Sequence, residues 1–170
     1  MSVCKQNNEL ANFWKAVMFL ADEGKLIDGG DYRIEYVRRL KTDKVNNEWP
    51  EAHAVLYIQK SRLFMLYKQT GKNVGDNVLQ EGTMMYYLEN SSAYLGFKKG
   101  VRFKVYHNGV LQMNSGNNAK SKVFLAYCFD YRKLEEAYGL NLEIASDAEG
   151  DTAHKEDYDA EHPKQLKLDI

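Results

Sequence analysis

The residues of this chain best suited to chemistry are bases. Lys98, Lys99, Arg102, Lys104, Lys120 and Lys122 fall in the forty residues between Glu89 and Asp130, a stretch that holds no Asp or Glu. Aromatic side chains are interleaved with them: Tyr94, Phe97, Phe103, Tyr106, Phe124, Tyr127 and Phe129. Cationic side chains displace counterions from phosphates, and flat rings stack on bases, so a locally positive, aromatic surface suits a polyanion and above all a nucleic acid. On this reading Lys98, Lys99, Arg102 and Lys104 lie along a phosphate backbone, Tyr106 and Tyr94 serve as stacking platforms, and Lys120 and Lys122 lie beside them. Arg38, Arg39 and Lys41 form a second basic patch, with Asp43 and Lys44 close by.

Other chemistries find less support. Of the four histidines, His154 and His162 lie in an acidic tail, His107 sits at a hairpin turn, and His53 precedes an apolar strand, where a structural role is expected. Cys4 and Cys128 are too few for a disulfide framework and lack metal-ligand spacing. Cys128 lies inside an apolar strand, the setting of an inert core thiol. Thr70-Gly71-Lys72 lacks the earlier glycine and the following Ser or Thr of a phosphate-binding loop. No pair of carboxylates sits in a segment rigid enough to argue acid–base roles. The expectation is a protein without catalytic residues, metal or cofactor.

The elements that must position the bases follow from periodicity. Leu10, Phe13, Trp14, Val17, Met18 and Ala21 recur at spacings of three and four, which predicts a helix over 8–24 stopped near Gly24. Asp28-Gly29-Gly30-Asp31 is a turn, and Tyr32 to Leu40 alternates as a strand. A polar loop to Pro50 and a short buried strand over 54–58 follow. Ser61 caps a helix over 61–70, and 78–89 returns to helical spacing. Residues 91–100 read as irregular. Val101 to Tyr106 is a strand with Val101, Phe103 and Val105 on one face and Arg102, Lys104 and Tyr106 on the other. Asn108-Gly109 is a hairpin turn that returns Val110 to Met113. Lys122 to Phe129 is a further strand, and 132–138 a short helix closed by Gly139.

At 170 residues the chain is long enough for one domain with a proper core. It has no apolar run of membrane-spanning length, and its first residues do not read as a signal peptide, so a cytoplasmic protein is expected. The net charge of −1 hides an asymmetry: residues 143–170 carry nine acids and three bases, giving −6, which leaves +5 for the rest. The expected organisation is a single α+β domain over 1–145, an antiparallel sheet with packed helices, followed by an acidic, flexible tail over 146–170. The tail could fold back on the basic face. It could also recruit a partner through Tyr158 and the terminal Leu166-Lys167-Leu168-Asp169-Ile170.

The order helix, helix, basic hairpin over 59–113 resembles the end of a winged helix. Ser61-Arg62-Leu63-Phe64-Met65-Leu66-Tyr67-Lys68, Met85-Tyr86-Tyr87-Leu88 and Leu95-Gly96-Phe97-Lys98-Lys99-Gly100-Val101-Arg102-Phe103 are similar to the DNA-binding winged-helix segments of replicative helicase–primases from phages and mobile elements. The resemblance covers about a third of the chain and implies DNA binding in replication. It departs from the pattern in one respect: 78–89, the helix that would enter the major groove, carries Glu81 and Glu89 and no base. The wing would then carry the contacts. The sequence thus points to a non-enzymatic DNA-binding module acting mainly through electrostatics and stacking. A protein–protein adaptor or inhibitor, acting through a tyrosine-rich surface or a DNA-mimicking tail, is the alternative.

Overall fold

In the computed structural model the described residues are 3–65, 68 and 81–142. The apolar stripe of the N-terminal helix α1 (Val3–Asp22) buries Leu10, Phe13, Trp14, Val17, Leu20 and Ala21, with Met18 only partly covered. The helix stops in a Schellman arrangement: Gly24 takes φ 75°, its N–H donates to the Ala21 carbonyl, and Lys25 N–H donates to the Leu20 carbonyl.

Four strands follow in one antiparallel sheet: β1 (Tyr32–Lys41), β2 (Asn46–Gln59), β3 (Tyr94–Lys104) and, after a small hairpin of β4 (Tyr106–His107) and β5 (Val110–Leu111), β6 (Ser121–Asp130). Their order is β1-β2-β6-β3. Two short helices separate β2 from β3: α2, whose described residues are 60–65 and 68, and α3 (Glu81–Glu89). The last helix, α4 (Tyr131–Tyr138), is capped by the Asp130 carboxylate, which accepts from Lys133 N–H, and ends at Gly139 with φ 66°. The structure is therefore mixed α+β, and its sheet is antiparallel. The acidic segment 146–170 lies outside the described residues.

The central strands are buried on both faces. Ala54, Leu56, Ile58, Tyr127 and Phe129 point toward α1, α3 and α4 and form the larger core with Trp14 and Tyr131. Val55, Tyr57, Ala126 and Cys128 point the other way, into a second core with Leu40, Leu95, Val101 and Phe103. That second core exists because the sheet curls until its two edges approach. Lys104 N–H donates to the Gly29 carbonyl and Arg33 Nη1 to the Arg102 carbonyl at one end. At the other end Phe97 N–H donates to Asp43 Oδ1 and Asp43 N–H to the Phe97 carbonyl.

Several boundaries differ from those that periodicity predicts. The loop before Pro50 is confined to 42–45, because β2 already pairs with β1 at Asn46. Pro50 falls where the ladder jumps from Arg39↔Glu48 to Val37↔His53, a bulge that needs no N–H from it. Residues 94–100 are strand. Their alternation is broken by two register shifts, between Tyr94 and Gly96 and between Lys98 and Val101. The strand over 101–104 pairs with 121–124 of β6 and not with 110–113. Asn108 (φ 51°) and Gly109 (φ 80°) do make the tight turn, but it joins only the two-residue strands β4 and β5. The wing that the sequence suggested is thus replaced by an edge strand of the main sheet.

Gly96 makes the curl possible. It has φ 105°, and a Cβ there would run into Thr42 Oγ1 and Asp43 Oδ1. Gly96→Ala is expected to cost at least about 2 kcal/mol from backbone strain alone. Gly82→Ala, in an open helical position with nothing near the new methyl, is expected to stabilise by up to about 1 kcal/mol. Urea midpoints of the two variants test this, and equal shifts would overturn it.

Candidate nucleic-acid interface

The basic residues that adjoin in sequence are divided in space by one extra residue. Opposite residues of an antiparallel pair share a face. Lys98 faces Ala126 and Val101 faces Phe124, so β3 advances three residues where β6 advances two. That bulge turns Lys98 toward the inner face, where its charge draws the Cys128 thiol down slightly. Burial dominates and pushes that thiol up to about 12, so it stays protonated at neutral pH. Beyond the bulge, Val101 and Phe103 enter the second core and Arg102 and Lys104 stand exposed on the outer face. Lys98 and Arg102, expected to lie along one phosphate backbone, thus stand on opposite faces of β3.

Arg102 and Lys104 are nonetheless part of a cluster. Lys104 faces Ser121, and Lys120 and Lys122, both exposed, flank that partner in sequence but turn to the other face, Lys122 opposite Phe103. Arg102 Nη1 donates to Ser121 Oγ at 2.8 Å, which holds its guanidinium along the ladder. These four bases share one end of the β3–β6 pair. Lys120 is fixed there by backbone bonds, its N–H donating to the Gln112 carbonyl and its own carbonyl accepting from Val105.

The second basic patch lies along the seam between β1 and β3. The contacts at Arg33–Arg102 and Asp43–Phe97 close the seam at both ends. Arg38, Arg39 and Lys41 are exposed on β1, and on β3 Lys99 is exposed and Lys98 half-buried. Arg39 also meets Glu48 at 3.0 Å, both side chains well exposed.

The aromatic partners are mostly elsewhere. Tyr94 is buried (6% exposed), with its ring against Phe129 at 5.6 Å, and is not available to stack on a base. Burial, followed by the nearby Asp43 and Glu89 carboxylates, pushes its hydroxyl pKa up. Tyr106 is half-buried and packs on the Gly29-Gly30 turn, where a Cβ at Gly30 would lie 2.6 Å from its ring. Its pKa is also raised, first by burial and then by Asp28 and Asp31. So the acid-free run of sequence is not acid-free in space: Asp28 and Asp31 border Tyr106, and Asp43 holds Phe97. Tyr32, Tyr57, Tyr87, Tyr127 and Tyr131 are core residues as well, which leaves Tyr86 as the well-exposed tyrosine among the described residues.

Two features were not legible from residue type. Arg33 sits at the seam, pairing with Glu35 at 3.3 Å, and its buried Nε has no hydrogen-bond partner. Val123, Val110 and Met113 are each more than half exposed around the four-base cluster. Val123 is the ladder partner of Arg102, a pairing between distant strands that alternation does not reveal. The His53–Asp130 contact is structural in its surroundings. Nε2 lies 2.9 Å from Oδ2 but out of line for a hydrogen bond, the imidazole stacks on Trp49 at 4.4 Å, and Asp130 is committed to capping α4. Among the described residues no group of three His, Cys, Asp or Glu could hold a metal, and no helix is long and apolar enough to cross a membrane. No protein-family model, curated protein or solved structure matches the chain.

Proposed function

We propose that this protein is a non-enzymatic nucleic-acid-binding module, with DNA as the favoured ligand. The observation that carries the reading is the gathering of four exposed bases at one end of the β3–β6 pair, Arg102 and Lys104 on one face and Lys120 and Lys122 on the other, with no acid on either strand between them. Such a cluster tracks a phosphate backbone and positions the protein without reading bases. With Tyr94 in the core and Tyr106 against its turn, the contribution of stacking is small and electrostatics dominates. The resemblance of 59–113 supplies the setting of this proposal, replication in a phage or mobile element, and the edge strand β3 takes the part of a wing.

Fluorescence anisotropy with a labelled single strand and a labelled duplex, between about 50 and 200 mM salt, tests it. Four phosphate contacts give a slope of log K against log salt near −3.6 for duplex and −2.8 for a single strand, taking roughly 0.9 and 0.7 counterions per contact. No binding at the lowest salt, or a flat salt response, would overturn the proposal. A second reading has one specific observation in its favour. The exposed Val110, Met113 and Val123 around the bases suit an acidic protein surface, and a protein adaptor would then bind through the same face.

A further inference from the structure

The β2–β6 ladder stops at Gln59↔Ala126, and the chain then turns into α2. The four residues Ser121 to Phe124 pair with β3 on one side, and Leu125 lies opposite the β3 bulge. On the other side they have no strand partner among the described residues. Alternate residues of that run turn their N–H and C=O groups away from β3, which makes a short template for one more strand. Beside it lies a groove of about 580 Å³, walled by Phe64 and Met65 of α2 and by Phe124 and Leu125 of β6, with Lys60 and Lys68 at its rim. Lys122 follows Phe124 on the same strand face. A sheet edge without a strand partner among the described residues, next to an apolar, cation-rimmed groove, is the arrangement that captures extended peptides: the backbone ladder gives affinity and alternate side chains fill the groove.

We propose that this groove is occupied by Leu166-Lys167-Leu168-Asp169-Ile170 of the same chain, added to β6 as an edge strand. Three properties select that segment. Its apolar residues alternate, so Leu166, Leu168 and Ile170 share one face, the one that would meet Phe64, Met65 and Leu125. It is delivered by residues 143–170, whose nine acids and three bases are complementary to Lys60, Lys68 and Lys122. It lies 24 residues beyond Leu142, a span of up to about 80 Å when extended, so reach sets no limit. The inference uses the edge of β6 opposite β3, and the residue it shares with the proposed nucleic-acid surface is Lys122.

The test uses the full chain. Hydrogen exchange of the 121–125 amides is compared between the parent and a variant carrying Leu166→Asp, Leu168→Asp and Ile170→Asp. At least tenfold faster exchange in the variant, with circular dichroism unchanged, is the expected result, and equal exchange would overturn the proposal. A second chain, with Met65→Cys and Leu168→Cys in a Cys4→Ser background, is oxidised at low concentration. A disulfide within one monomer supports the proposal. A bond only between chains assigns the groove to a second copy, and no bond leaves the segment elsewhere; either result rejects it.

Discussion

A chain with Arg102→Glu and Lys104→Glu together is expected to bind nucleic acid at least about 60-fold more weakly at roughly 0.1 M salt, and to fold normally. Losing two phosphate contacts removes about 1.8 released counterions, which at that salt gives the 60-fold figure before any repulsion between the new carboxylates and the phosphates. The salt slope should become shallower by the same 1.8. Both side chains are exposed, and the one side-chain hydrogen bond lost is from Arg102 to Ser121, so stability should change by no more than about 1 kcal/mol. The carbonyl of Arg102 that receives Arg33 belongs to the backbone and is retained. Tyr94→Phe makes the contrast, since a buried ring offers nothing to a ligand and affinity should stay unchanged. Undiminished affinity in the double reversal would show that the four-base cluster is not the interface.

The second large effect is on stability. Phe129→Ala is expected to destabilise by about 3–5 kcal/mol, enough to consume a large part of a typical folding free energy. Phe129 is fully buried at the centre of the main core. Trp14 of α1 meets it edge-on at 4.9 Å and Tyr94 of β3 at 5.6 Å. Truncation would leave a cavity between the first helix and the sheet, and neither a Trp pinned by Phe13 at 5.1 Å nor a strand held in its ladder can collapse to fill it. Thermal unfolding followed by circular dichroism measures the loss, and a change below about 1 kcal/mol would mean that this layer repacks freely.

What the sequence made legible was local. The stripe on α1, the alternation in β1, the Asn108-Gly109 turn and the Gly139 cap are written in spacings of two to four residues, and each is found within a few residues of its expected place. The rest depends on partners distant along the chain. The bulge at Lys98–Val101 adds one residue, and that residue moved Lys98 off the face of Arg102; no spacing rule announces it. Tyr94 reads as a surface platform because it precedes the basic run, but it opens a strand whose neighbours are buried on both faces, where alternation carries no exposed side to read. The basic cluster was visible as composition, and its extent was decided by which strand Lys104 happens to face.

The ladder between β2 and β6 joins residues 55–59 to residues 126–130. During synthesis this has a kinetic meaning. Until Asp130 has left the ribosome, the nascent chain can form the β1–β2 hairpin and its local helices, but the strand that completes both cores is missing. Phe13, Trp14 and Val17 precede their core partners Tyr127, Phe129 and Tyr131 by more than a hundred residues of chain, so the apolar face of α1 is expected to stay uncovered until β6 has been made.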